Sequence, residues 1–359
     1  LNAIENNAFN GCFKLTNVTI PESVTYIGYD VFVNCSSLTN ITIPRNVMDI
    51  NSGVFKDCTS LTNVFFEENS ALQTLGDEHT NADRYYYGAF QGCTSLQSIE
   101  IPDSVTSTGD ATFKDCSALE TVHLPNSLTK VRQYAFYGCS GLSSITIPDS
   151  VTSVEKNAFY KCSNLTSVII PDNVTSVGVS AFQDCRGLTS ITIPDSVTSI
   201  GSYTFMDCKG LTSVKIPDGV TSIDQYAFHG CSGLTSIKIP DGVTSIGNQA
   251  FGDCSSLTSI TIPDGVTSIA EWSFNSCSGL TSVKIPDGVT SIEQYSFYSC
   301  SGLTSITIPD NITSIENSAF KYCTNLTSVT YKGQTYTSKS ALTAALTNNN
   351  VTVGTDMFI

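Results

Sequence analysis

The chain has 359 residues, a formal net charge of −15 and only 14% charged side chains. It lacks the basic footprint that nucleic-acid binding requires, and its acidity opposes adsorption to anionic membranes. No apolar run reaches the roughly 20 residues that span a bilayer, so neither nucleic acid nor direct membrane insertion is expected.

Leu1 and Ile4 already occupy mid-repeat core positions, so the chain reads as starting inside a unit, as a piece of a longer protein. The unit is clearest in residues 188–210, LTSITIPDSVTSIGSYTFMDCKG, followed by 211–233, LTSVKIPDGVTSIDQYAFHGCSG. Its period is 23 residues, and the fourteen cysteines from Cys12 to Cys323 all mark one phase of it. Only the gap from Cys58 to Cys93 departs, at 35 residues. Phe stands three before every Cys, from Phe9 to Phe320, and Leu three after, from Leu15 to Leu326. Pro follows nine after in twelve units.

Each segment of the unit has a structural reading. Leu-x-x-Ile-x-Ile alternates, so it predicts a short strand with its last two apolar residues inward. Pro ends the strand, having no N–H for the ladder, and Pro-Asp-Ser or Pro-Asp-Gly makes the turn. Val-Thr-Ser-Ile returns along the other side. Ala-Phe-x-x-Cys closes the coil with one helical or 3₁₀ turn, its Phe and Cys facing the core. A 20–29-residue period built on Leu-x-x-Ile-x-Ile is the signature of a leucine-rich repeat solenoid. The predicted fold is therefore mostly β: parallel strands in 23-residue coils, about fourteen of them over 1–330, with an insertion near 77–88.

The in-phase Phe-x-x-Cys-x-x-Leu matches carry a family resemblance. Over about 1–330 the chain resembles the BspA-type leucine-rich repeats of bacterial surface proteins. The resemblance implies a secreted or cell-surface protein that binds host, matrix or other cell-surface proteins, and it implies no catalytic site.

The cysteine phase argues against disulfides. Neighbouring coils would bring Cα atoms within bridging distance, but the side chains would point the same way and each thiol would have two equivalent neighbours. Buried reduced thiols are expected. No paired Cys-x-x-Cys suggests a metal, and no cofactor is expected. His79, His123 and His229 fall in three different phases. The turn aspartates, Asp103 to Asp310, would form a column that either recruits calcium or simply reflects the preference of Asp for turns.

Function in a repeat array is sought where the units differ. Residues 77–87, DEHTNADRYYY, interrupt the pattern. They read as a tolerated insertion, as a partner-binding loop with Arg84, Tyr85, Tyr86 and Tyr87 as contacts, or as a metal or catalytic site on Asp77, Glu78, His79 and Asp83, whose spacing matches no known motif. The outward strand position, seven after each Cys, is usually Thr. It is instead Phe65, Glu100, His123, Ile169, Lys215, Lys238 and Lys284 in single coils. Five before the Cys, Tyr134, Tyr203, Tyr226, Trp272 and Tyr295 form an aromatic stripe. Such residues are enriched in binding hot spots and suit stacking on sugars; the alternative is that they seal the coil surface.

After Leu326 the pattern fails. Tyr331 to Tyr336 predicts a hairpin, Ser340 to Leu346 a short helix and Val351 to Val353 a last strand. Residues 331–359 are expected to form a small α+β cap. The functional expectation is a non-enzymatic binding or adhesion protein for a protein or glycan ligand. The alternative is a spacer that displays another domain away from a surface.

Overall fold

The computed structural model describes residues 2–77 and 87–357. It forms a β-solenoid of 23-residue coils, divided into two compact units, Leu1–Leu188 and Thr189–Ile359.

In the first unit the sheet-side strands pair in parallel, as Asn40–Ile43 with Asn63–Phe66, Ser98–Glu100 with Thr121–His123, and Ser144–Thr146 with Ser167–Ile169. Inward Ile41, Ile99 and Ile145 are buried while their neighbours face out. The return side forms two-residue strands; Ala3–Ile4, Tyr26–Ile27, Asp49–Ile50, Thr74–Leu75 and Ser107–Thr108 make one parallel sheet. The second unit repeats the plan from Ser190–Thr192 to Ser328–Tyr331. Partners keep the repeat offset, as in Ser259↔Ser282 and Ile260↔Val283.

The core between the two sides is a column of identical residues. Successive Phe rings stack with centroids 5.1–5.6 Å apart in each unit. The cysteines are free, and all but the exposed Cys12 are buried. They do more than fill space. Cys58 Sγ donates to Phe32 O at 3.1 Å, Cys139 to Phe113 O at 3.0 Å and Cys300 to Phe274 O at 3.0 Å. Each thiol therefore stitches its coil to the preceding one through an S–H donor that Ala or Val would lack. Burial pushes these thiols up, Cys277 from an ordinary 9.0 to about 12.

The segment around Cys closes by i→i+3 bonds: Cys58 N donates to Phe55 O at 3.1 Å and Leu61 N to Cys58 O at 3.0 Å. It does not extend into a helix because the residue before the Cys is left-handed, as at Asn34 (φ 58), Asp57 (φ 59) and Gly92 (φ 74). A second left-handed column lies five before the Cys. Gly serves both conformations without cost, and Asn and Asp nearly so. Threonine hydroxyls add a further ladder, as in Thr212 Oγ1 to Thr189 O at 3.1 Å and Thr258 Oγ1 to Thr235 O at 3.2 Å.

One polar cluster breaks the apolar pattern. Asp110 is fully buried. Its carboxylate accepts from Arg132 Nε at 3.2 Å and from Gln133 Nε2 at 2.8 Å, and Arg132 Nη1 reaches Glu155 Oε1 at 3.1 Å.

At the C-terminal end, Gln334–Tyr336 turns back antiparallel on Ser328–Tyr331. The helix Lys339–Asn348 is N-capped by Ser338 and buries Leu342 and Leu346. Thr352–Val353 then rejoins the stack in parallel with Ser314–Ile315. The closing segment thus supplies a return-side strand for the coil before it.

Candidate recognition surfaces

Tyr134, Tyr203, Tyr226, Trp272 and Tyr295 occupy the left-handed column five before the Cys, at φ 58–60. In other coils Asn7, Asp30, Gly53 and Asn157 hold that conformation. A left-handed backbone costs a residue with a Cβ roughly 1–2 kcal/mol. The coil itself therefore favours a small residue here, and the aromatic choice needs another cause. Part of it is mutual stacking, which is worth about 0.5–1.5 kcal/mol per pair. Tyr203 and Tyr226 lie 4.8 Å apart at 9°, and Trp272 and Tyr295 lie 4.0 Å apart at 16°. Gln249 stands between the pairs in the sequence of coils, its Nε2 donating to Tyr226 Oη at 2.8 Å. Tyr298 meets Tyr295 edge-on at 5.5 Å, and Tyr322, 44% exposed, continues the cluster from Tyr298. The four stripe residues of this unit are half-buried. Within each pair one face of each ring is covered by its neighbour, and the rest of each half-buried ring is what a partner meets.

The lysines form a separate column, on the sheet. Lys215 and Lys238 are direct cross-strand neighbours, whereas Thr261 separates Lys238 from Lys284. All three are exposed. In the first unit, Phe65 opposes Thr42 and is 54% exposed. Glu100 pairs with His123, and His123 Nε2 lies 4.0 Å from Asp103 Oδ1.

Of the insertion, Tyr87 packs under Lys56, whose Nζ lies 4.6 Å from its ring centre. Glu78, His79, Asp83, Arg84, Tyr85 and Tyr86 lie outside the described residues. Gly88 ends the excursion, and a Cβ there would meet Ala111 O at 1.6 Å. Among the described residues no cluster of three His, Cys, Asp or Glu could hold a metal ion, and no helix is long and apolar enough to cross a membrane.

The left-handed columns were missed by reading apolar periodicity. Their signal is the run Gly11, Asn34, Asp57, Gly92 before successive cysteines.

Comparison with known proteins agrees with this architecture. The model of the BspA type leucine rich repeat region matches in several copies over residues 1–79, 84–212, 198–327 and 244–356. A leucine-rich repeat protein from Bacteroides ovatus is 30% identical, with 99% of this chain and 87% of that one covered and a TM-score of 0.78. A leucine rich cell surface protein from Faecalibacterium prausnitzii is 32% identical over 96% of this chain and 90% of that one, with a TM-score of 0.59. The pneumococcal vaccine antigen PcpA shares the fold at 18% identity, covering 88% and 78% of the two chains with a TM-score of 0.51. No curated protein matches. With the repeat, the stacked Phe and Cys columns and these matches together, the chain belongs to the BspA-type leucine-rich repeat family.

Proposed function

We propose that this chain is a non-enzymatic recognition module, secreted or displayed at a cell surface, that binds a protein or glycan ligand on host, matrix or neighbouring cells. The observation that carries the reading is the aromatic column of the second unit. Tyr203, Tyr226, Trp272 and Tyr295 sit where the backbone favours Gly or Asn, and hot spots are enriched in Tyr and Trp. The cell-surface description of the Faecalibacterium relative supports the location. A repeated supply of the same Ser, Thr and Asp supports binding over catalysis, which requires one convergent set of groups. Residues 331–359 serve in this reading as the cap that closes the array.

The test is saturable binding to an array of matrix proteins, mucins and glycans. Replacing Trp272 and Tyr295 together by Asn suits the left-handed backbone, so stability should change by less than about 1 kcal/mol. Binding should fall at least about tenfold, a loss of 1.4 kcal/mol. A folded wild-type sample without a saturable hit would favour the spacer reading.

A further inference from the structure

The sheet-side ladder is interrupted after Asn63–Phe66 and again after Thr121–His123, and the first interruption coincides with a change in the repeat. After Cys58 the strand Asn63–Phe66 runs into Glu67 where most coils have Pro. Two extra residues then precede Leu72, and Asn69 turns left-handed at φ 58. The ladder stops there: Asn63–Phe66 pairs with Asn40–Ile43, and the next strand, Ser98–Glu100, pairs with Thr121–His123. The bulge opens a groove of about 560 Å³ lined by Glu67, Asn69, Glu100, Asp103, Ser104 and His123. A second depression of about 430 Å³ shares Glu100 and His123 and continues to Thr146.

The chemistry of these walls is uneven. Glu67 is already engaged, its Oε2 accepting from Arg45 N at 3.0 Å and Arg45 Nε at 3.4 Å. Glu100 is exposed and forms no ion pair among the described residues. The Asp103 side chain is 74% exposed, and only His123 approaches it. Ser104 Oγ is buried without a hydrogen-bond partner. In the next coils the matching hydroxyls of Ser127 and Ser150 donate to Val105 O and Leu128 O. Phe65, on the strand that the bulge follows, presents an apolar ring to solvent.

We infer that this groove docks an arginine-bearing basic segment of a partner protein. A guanidinium takes a carboxylate through paired N–H donors. Its aliphatic stem and planar head also suit an aromatic surface. Glu100 and Asp103 supply the first element; Phe65, which lies outside the groove lining but holds the same outward position as Glu100 on the neighbouring strand, supplies the second from beside the groove. The net charge of −15 steers such a segment towards the chain. The inference rests on the binding-protein reading and uses a surface distinct from the aromatic column.

Fluorescein-labelled hexa-arginine is the probe, read by anisotropy at low and near-physiological salt, with hexaglutamate as the negative control. Glu100→Gln/Asp103→Asn should weaken binding about tenfold. Phe65→Thr, which installs the usual residue of that position, should weaken it about threefold. Asp218→Asn/Asp241→Asn removes the same charge from exposed turns of the second unit and should change binding less than twofold. Equal losses in the two double variants, or no binding by the wild type, would overturn the inference. The Trp272→Asn/Tyr295→Asn variant should keep hexa-arginine binding, so that failure of the groove and failure of the aromatic column are told apart.

Discussion

Alkaline titration should unfold the chain steeply between pH 9 and 11. An unfolded thiol ionises near its ordinary value of 9.0, whereas burial pushes Cys35 up to about 11 and Cys277 to about 12. Burial also raises Cys93, Cys139, Cys231, Cys254 and Cys300 well above the ordinary thiol value. Above pH 9 the folded state keeps protons that the unfolded state has lost, so stability falls as pH rises and is fully present below that point. Each such thiol contributes a slope of about 1.4 kcal/mol per pH unit. Several acting together exceed the roughly 5–15 kcal/mol by which ordinary domains are stable. Circular dichroism against pH reads the transition. Replacing Cys139, Cys162, Cys231 and Cys254 by Ala removes packing and S–H bonds at every pH but should make the fall of stability above pH 9 shallower, and an unchanged slope would show that thiol ionisation does not drive it. The same burial predicts that native thiols other than Cys12 resist iodoacetamide at pH 8 and react once the chain is unfolded.

Arg132→Ala should destabilise the first unit by about 3–5 kcal/mol. The substitution strands the carboxylate of Asp110, which has no exposed surface, with Gln133 as its remaining side-chain donor. Removing both charges, as Asp110→Ala/Arg132→Met, should recover most of the loss, because an apolar pair carries no desolvation penalty. Hydrogen exchange across residues 107–131, together with thermal unfolding, measures both variants. A single variant as stable as the wild type, or a double variant no better than the single, would mean that the charges are solvated rather than mutually dependent.

The contrast between these two predictions marks what the sequence makes readable. The thiol column follows from phase alone, since Phe, Cys and Leu recur at fixed offsets and stacking must place like on like. The S–H donation from Cys139 to Phe113 O does not follow from phase. It depends on the register between coils, which the periodicity of one coil does not specify. The Asp110 cluster was illegible for another reason. Most coils place Asn, Gln, Ser, Gly or another uncharged residue where Asp110 and Arg132 stand, and burial here comes from the packing of Arg132, Gln133 and Glu155 around one carboxylate. The aromatic stripe was visible, but its strain was not. Tyr and Trp mask a left-handed position that Asn7, Asp30 and Gly53 advertise in the first coils. The exposed outward residues were found correctly by comparing units, while the groove beside Glu100 needed the three-dimensional consequence of two extra residues before Leu72.

The hydrogen bonds between coils carry a consequence for how such a chain changes over generations. Thr258 bonds to Thr235, and Thr235 to Thr212, at the same offset of 23 residues. Excising residues 211–233 would join Gly210 to Leu234 and bring Thr235 to Thr189, the residue whose carbonyl Thr212 now uses. Recombination between neighbouring copies in the gene therefore adds or removes whole coils without orphaning a donor, while an insertion of any other length must leave the stack as a loop. Array length is therefore free to drift by whole coils, and selection on a partner that spans several coils of one unit would be read as a fixed number of coils within it.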